Sequence, residues 1–240
     1  MRRFFAEDIS FDSGAVTLEG DEARHIKNVL RMKEGDKVLL INGEGSQFEA
    51  EITKLEEGSV FLRLIESSVC PADPDIRVTL FQCLPKQGKM EVIIQKCVEL
   101  GVWKVVPVSS KRCVVKPDGK ENKLVRWNKV SAEAAKQCGR AQIPKVESVS
   151  PLEKIDLNGF DLILIPYENE DEITLKQVLR DFGPLRDIAV IIGPEGGFDP
   201  SEVASVIERG GRAVSLGRRI LRTETAGMAA LAQIMYELEQ

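Results

Sequence analysis

Histidine is almost absent: His25 is the only one in 240 residues. Metal sites built from several imidazoles are therefore excluded, and any histidine-based catalytic triad would rest on this one side chain. The five cysteines stand at 70, 83, 97, 113 and 138. No two are three apart, so a CxxC zinc or redox pair is missing, and their odd number speaks against a disulfide framework. Each reads first as a small buried hydrophobe, and no metal is expected. No apolar run approaches the roughly 18 residues of a membrane-spanning helix, so no membrane partner is expected. After Arg2 and Arg3, only Phe4, Phe5 and Ala6 precede Glu7 and Asp8. A secretory leader needs a longer apolar stretch, which points to a cytoplasmic protein. Positive charge is also short: 33 Lys plus Arg against 38 Asp plus Glu leave a net −5. On its face that argues against a nucleic-acid partner. The GxxxxGK[ST] phosphate loop is missing too, which argues against a kinase-like enzyme.

What is present suits an ordinary globular chain, with 43% hydrophobic and 30% charged residues. The length suits one large domain or two small ones, and such a chain buries roughly 70% of its unfolded surface without needing disulfides. The charge is unevenly spread. Residues 1–72 carry 9 basic and 14 acidic residues, residues 73–150 carry 15 and 8, and residues 151–240 carry 9 and 16. Within residues 85–145 the balance is 14 basic to 5 acidic, net +9. That segment is either a solvated lysine-rich face or a footprint for an anionic polymer. The acidic total therefore does not exclude RNA.

The first 72 residues read as a small β module. Strand-like runs cover 38–41, 48–54 and 59–65, and Gly35-Asp36, Asn42-Gly43 and Glu57-Gly58 are turns. Residues 22–30 have helical spacing through Ala23, Ile26, Val29 and Leu30. Cys70-Pro71-Ala72-Asp73-Pro74 reads as a linker. From 73 to 240, strands alternate with helices. Residues 77–83, 104–108, 162–165 and 188–192 are strand-like, and the continuous apolar runs LILI and IAVII suit strands buried on both faces of a parallel sheet. Helices are expected through Met90, Ile93, Ile94, Cys97 and Val98, stopped by Gly101, and over 121–137. This second region is an α/β domain.

Two segments carry chemistry. In I191-I-G-P-E-G-G-F-D-P-S-E202 an apolar strand ends at Ile192, Gly193, Gly196 and Gly197 form a loop, and Asp199 caps a helix with Pro200 in its first turn and Glu202 three residues on. This is the layout of a nucleotide-type site at the carboxyl end of a sheet. A carboxylate in the loop, Glu195, disfavours polyphosphate and is compatible with a neutral or cationic adenosyl ligand. In L216-G-R-R-I-L-R-T-E-T-A226, Arg218, Arg219 and Arg222 crowd a helix that Thr223 or Thr225 can cap. Small residues from Ala226 to Ala232 leave that helix slim enough for close packing.

G193-P-E-G-G-F198 together with L216-G-R-R-I-L-R-T-E-T-A226 resembles the RsmE family of SPOUT methyltransferases, which methylate N3 of a uridine in small-subunit ribosomal RNA with S-adenosylmethionine. Further blocks are H25-I-K-N-V-L-R31, K86-Q-G-K-M-E-V-I-I-Q-K-C-V-E-L-G-V102 and A134-A-K-Q-C-G-R140 with Pro144. One departure is Cys138, where a small serine-like residue is expected. The resemblance implies a PUA-like β-barrel over 1–72 that helps hold RNA, and a SPOUT α/β methyltransferase domain with a deep trefoil knot over 73–240. It also implies a homodimer with the site at the subunit interface.

On this reading uridine N3 must lose a proton, and a guanidinium must stabilise the anion left on the base. Arg222 is the first candidate for that cation. Glu224 or Glu195 accepts the proton, and the sequence leaves the choice open. Glu224 alternatively only favours the first turn of its helix. The cofactor is S-adenosylmethionine, with S-adenosylhomocysteine as product. It is expected to be held largely by backbone at Ile165 and Pro166, and at Ile192, Gly193, Pro194, Glu195, Gly196 and Gly197. Leu216, Gly217, Ile220, Leu221, Thr223 and Thr225 complete the set, with Leu216, Ile220 and Leu221 flanking the adenine. Expected RNA contacts in the first module are Arg2, Arg3, Arg24, His25 and Arg31. In the second they are Lys86, Lys89, Lys96, Arg112 and Arg140. The partner is small-subunit ribosomal RNA, free or in the assembled subunit. The competing readings are a SPOUT enzyme for another base or for tRNA, and a non-catalytic ribosome-assembly factor that binds RNA.

Overall fold

The computed structural model describes residues 1–6, 9–86, 88–115 and 121–239. Glu7, Asp8, Gln87, Gln240 and residues 116–120, which include two lysines of the basic segment, lie outside the described residues. The chain forms two compact units: Met1–Asp73 with Ala135–Ile143, and Pro74–Ala134 with Pro144–Gln240. Residues 135–143 group with the first unit.

The first unit holds β1 (Arg2–Phe5), β2 (Ala15–Glu19), β3 (Lys37–Ile41), β4 (Ser46–Leu55) and β5 (Ser59–Val69). They form one sheet in the order β1-β3-β4-β5-β2, parallel between β1 and β3 and antiparallel elsewhere. Alternate residues point inward: Phe48, Ala50 and Ile52 of β4 pack with Val60, Leu62 and Leu64 of β5 against Phe4, Ala23 and Ile26. This period of two fixes the register, because a one-residue slip would turn the apolar set to solvent. The expected barrel is corrected to a curled sheet: among the described residues β1 and β2 do not pair, so the sheet stays open. β1 and β2 went unread in the sequence because each is too short to show an alternation.

Two local expectations also change. Residues 22–30 are not one regular helix. The chain is α-helical over Gly20–Arg24 (α1), and His25–Val29 then widens to a π-turn in which the Leu30 N–H donates to the His25 carbonyl at 2.9 Å. The wider turn rotates Val29 off the apolar face, where it is exposed. Nor is 70–74 a loose linker. Cys70 is buried, and the Asp73 carboxylate accepts hydrogen bonds from Arg140 Nε at 2.9 Å and from the N–H groups of Ala141 and Gln142 at 3.0 and 2.8 Å.

The second unit alternates strands and helices. Its strands are β6 (Arg77–Cys83), β7 (Lys104–Ser109), β8 (Lys145–Val146), β9 (Ser150–Pro151), β10 (Leu162–Pro166), β11 (Asp187–Ile192) and β12 (Arg212–Val214). Its helices are α2 (Lys89–Glu99), α3 (Glu121–Cys138, whose residues from Ala135 on belong to the first unit), α4 (Leu175–Asp181), α5 (Pro200–Glu208) and α6 (Thr223–Leu238). The sheet order is β12-β10-β11-β6-β7-β8, with β9 beside β7, and every pair is parallel. β6, β10 and β11 are almost wholly buried, as their unbroken apolar runs require. The chain runs outward from β6 through β7 to β8, then returns on the other side, so the order reverses between β6 and β11. In an open parallel sheet the ligand crevice lies at the carboxyl ends of the strands at such a reversal. The loops after β6, β10, β11 and β12 all start from that edge.

Candidate active site

The loop after β11 is shaped by what its glycines omit. Gly197 has φ +68°, and a Cβ there would collide with the Glu168 carboxylate. A Cβ at Gly193 would lie 3.0 Å from the buried Phe198 ring. The loop ends in the expected capping box. Ser201 N–H donates to Asp199 Oδ1 at 3.1 Å, and Asp199 N–H donates to Glu202 Oε2 at 3.0 Å. The Ser201 hydroxyl, then its N–H, hold the Asp199 carboxyl below the usual carboxylate range. Glu202 is itself buried, and its other oxygen accepts from Lys111 N–H at 2.8 Å. Arg112 Nη1 donates to the Gly196 carbonyl at 3.2 Å. The loop after β7 is thereby tied to the glycine loop.

The loop after β12 meets it through Thr223. The expected cap is corrected here: Arg222 occupies the N-cap position of α6, and no side chain caps that end. Thr223 is 4% exposed. Its hydroxyl donates to the Gly193 carbonyl at 2.6 Å and accepts from Gln82 Nε2 at 2.9 Å. The two motifs and the end of β6 are thus joined by one chain of hydrogen bonds, buried at Gln82 and part-buried at Gly193. Gln82 Nε2 also donates to Cys83 O at 3.1 Å, while Gln82 Oε1 is buried with no partner, beside the bare Cα of Gly227. The rest of the loop is open backbone. Among the described residues, no N–H of Leu216 or of Arg218 through Arg222 has an intramolecular partner. Leu216 and Leu221 are half-buried beside it, and Thr225 is exposed. Ile220, expected against an apolar ligand, is 87% exposed. Ile165 is buried and Pro166 half-buried at the end of β10, and Tyr167 N–H donates to Val214 O at 3.1 Å.

One ammonium organises the charge. Lys89 Nζ lies 3.0 Å from Glu224 Oε1 and 3.7 Å from Glu195 Oε1. Lys89, expected on the RNA, therefore belongs to the site, and it brings together the two candidate proton acceptors. Burial pushes the Glu224 carboxyl up, but its own N–H at the helix start, then Lys89 and Arg222, outweigh that and leave it below the usual value. Glu195 Oε1 also accepts the Lys86 N–H at 2.9 Å, which fastens the loop after β6 to the glycine loop. Arg218, Arg219 and Arg222 are exposed and form no ion pair among the described residues.

The remaining expected RNA contacts scatter. Lys86 and Arg112 are exposed beside the glycine loop, and Lys96 pairs with Glu99 at 2.8 Å. Arg2, Arg3, Arg24, His25 and Arg31 lie in the first unit, with Arg24 facing Asp21 at 3.5 Å. Arg140 is corrected. Its side chain is 2% exposed and paired with Asp73, so it holds the first unit together and is not presented to a polymer. Sequence reasoning also missed Gln82, Lys111 and Glu202. Gln82 left a signal, a polar residue near the end of an otherwise apolar strand. The cysteines divide. Cys70, Cys83 and Cys97 are buried, as expected, whereas Cys113 is half-exposed. A hydrogen bond with the Cys83 thiol, against the effect of burial, lowers the Cys113 thiol to about 6.

Residues 72–235 match the RNA methyltransferase domain family and residues 18–65 the RNA methyltransferase PUA domain family. The chain is 33% identical over 250 residues to the ribosomal RNA small subunit methyltransferase E of Bacillus subtilis, covering 100% of this chain and 98% of that one. The chain belongs to the ribosomal RNA small subunit methyltransferase E family. The Synechocystis member of the family is 34% identical over 93% of this chain and 74% of its own length. The crystal structure of the Neisseria gonorrhoeae member, bound to S-adenosyl methionine, superposes with a TM-score of 0.80 at 31% identity, covering 100% of this chain and 98% of that one. The family resemblance carried by the two C-terminal motifs is borne out.

Proposed function

We propose that the chain transfers the methyl group of S-adenosylmethionine to N3 of one uridine in small-subunit (16S) ribosomal RNA. That it is an S-adenosylmethionine-dependent ribosomal RNA methyltransferase rests on its family membership. The observation that carries the reading at the level of residues is the Gln82–Thr223–Gly193 chain, which sets an open backbone loop against a glycine loop at the edge where the strand order reverses. These residues fit an adenosyl group. The unpartnered N–H groups of 216 and 218–222 match the edge of a purine, Leu216, Leu221 and Pro166 supply apolar walls, and Gly193 and Gly197 let backbone approach closely. Glu195 does not oppose it, because its carboxylate is turned to Lys86 N–H and Lys89.

When bound, S-adenosylmethionine supplies a methyl group activated by its sulfonium and leaves as S-adenosylhomocysteine. The protein's task is the acceptor, whose N3 is protonated at neutral pH. Arg222, with no carboxylate partner, stabilises the negative charge that spreads over the two uracil carbonyls. Glu224 takes the proton. It stands two residues from Arg222, and its own N–H, Lys89 and Arg222 hold it ionised. Lys89 keeps Glu224 in place.

The first unit, the exposed cations Lys86 and Arg112 and the half-buried Lys96 hold the RNA. The family resemblance carries the finer architecture of this proposal: a SPOUT domain with a deep trefoil knot and a homodimer with the site at the subunit interface; the RNA is taken free or in the assembled small subunit, by a cytoplasmic enzyme. The test is mass spectrometry of ribosomal RNA from a deletion strain and from the same strain with the gene restored. One methylated uridine should vanish and return. If none vanishes, the substrate is wrong. Calorimetry with S-adenosylmethionine separates an enzyme from an assembly factor, and no heat at millimolar ligand would sink the proposal.

A further inference from the structure

We infer that the first unit carries its own pocket for one unpaired nucleotide of the RNA, with His25 as the stacking surface and Arg2 and Lys136 as the phosphate contacts. This rests on the proposed RNA substrate and names where a part of that RNA other than the target base is held.

A cavity of about 360 Å³ opens between the start of β1, the π-turn and the end of α3, lined among others by Arg2, Arg3, Phe4, His25, Leu30 and Lys136. All these residues lie in the first unit. The size is at the lower end of small-ligand pockets. His25 is exposed, and its ring meets the buried Phe4 ring edge-on, at 6.0 Å between centroids and 81° between planes. In such a perpendicular pair Phe4 steadies the imidazole and leaves at least one of its ring faces free of this contact. The π-turn hydrogen bond joins two lining residues, His25 and Leu30. Just after it, Arg31 is held at φ +51°, a conformation that a non-glycine residue keeps only where its surroundings enforce it. Such irregular backbone recurs at functional sites.

The cations are placed in advance. Arg3 Nη1 donates to the Gly139 carbonyl at 2.8 Å, and a Cβ at Gly139 would collide with this guanidinium, so it forms a fixed floor. Lys136 Nζ is paired with Glu22 and sits 5.8 Å from the Phe5 ring centre. Neither Arg2 nor Arg3 has a carboxylate partner among the described residues. Among the described residues the side-chain cations Arg2, Arg3 and Lys136 thus line the cavity, and Glu22 is the carboxylate paired with them. A bare phosphate would use the cations and leave the His25, Phe4 and Leu30 wall idle. An acidic peptide has no flat face to lay on the imidazole. A single unstacked nucleotide uses both, in the way that single-stranded RNA is held on aromatic and histidine rings beside cations.

The test is photo-crosslinking of the full chain to small-subunit ribosomal RNA made with 4-thiouridine, followed by peptide mapping, with RNA affinity measured alongside. A crosslinked nucleotide is expected on the segment around His25. His25→Ala should weaken RNA binding roughly ten- to hundred-fold, as for loss of one stacked base. His25→Phe should restore it, and S-adenosylmethionine affinity and melting temperature should hold in both. Arg2→Ala should lower the slope of log affinity against log salt by about one. The inference is overturned if crosslinks fall only in the second unit, or if His25→Phe binds as poorly as His25→Ala. It is also overturned if His25→Ala binds the RNA, free and in the assembled subunit, as tightly as the parent does. Crosslinking needs no turnover. A chain that crosslinks at His25 but methylates no uridine would therefore refute the proposed reaction and leave the pocket standing.

Discussion

Replacing Thr223 by valine keeps its shape and removes only the hydroxyl that joins the two motif loops. The Gly193 carbonyl then loses its 2.6 Å donor, and Gln82 Nε2 loses one of two acceptors, keeping Cys83 O at 3.1 Å. Gln82 Oε1 is already without a partner, so the region has no slack to re-form the bonds. A buried carbonyl left unpaired costs about 1–3 kcal/mol; the part-buried Gly193 carbonyl falls at the lower end, and the partial loss at the buried Gln82 brings the sum to ~2 kcal/mol. For a chain of this length that corresponds to a drop in melting temperature of roughly 4–8 °C. The release also frees the glycine loop from α6. S-adenosylmethionine affinity should fall with it, about tenfold for each 1.4 kcal/mol of loop positioning lost. Urea unfolding and calorimetry measure the two effects, and Thr223→Ser, which keeps the hydroxyl, should restore both. A valine variant within about 0.5 kcal/mol of the parent, with unchanged ligand affinity, would refute the joining role.

Arg222→Ala should abolish methylation while S-adenosylmethionine affinity falls less than tenfold; equal loss of both would make Arg222 a ligand-binding group. Because the folded protein holds Glu224 below its usual 4.5, the Lys89–Glu224 pair stabilises the fold above that pH and loses its effect as pH falls through the lowered value. The stability gap between the parent and Lys89→Met, from urea midpoints, should therefore be small, present at neutral pH and vanish on acidification; a gap that widens in acid would contradict the assignment. Cys113, its thiol lowered to about 6, should be alkylated by iodoacetamide at neutral pH well before Cys97, whose thiol burial raises to about 12. Peptide mapping that finds the two modified at similar rates would rule this out.

Much of the second unit could be read in advance because its signals are local. The run IAVII, the glycines after it and Asp199 with Glu202 three residues on need only neighbouring residues to act, and the strand, loop and capping box are all there. Helix α2 follows from its apolar stripe in the same way. The turn chemistry of the first unit located three strands, but not the π-turn at His25, where the apolar spacing alone is compatible with an ordinary helix.

Contacts between distant residues could not be read in this way. Arg140 and Lys89 are both basic residues in the same positive segment. One is buried against Asp73, 67 positions away, and the other bridges Glu224, 135 positions away. Thr223 looked like a cap and instead spans from Gln82, 141 positions distant, to Gly193. Periodicity and capping describe what a residue does with its near neighbours, and they carry no term for which remote strand ends at its side. The sequence by itself therefore determined the longer elements of the second unit, three strands of the first, the parallel α/β class and the two loops that carry chemistry. Only the tertiary structure decided which cations face solvent and which threonine ties the loops together. The sheet order brings the carboxyl ends of β6 and β11 side by side, and those side-chain partners follow from it.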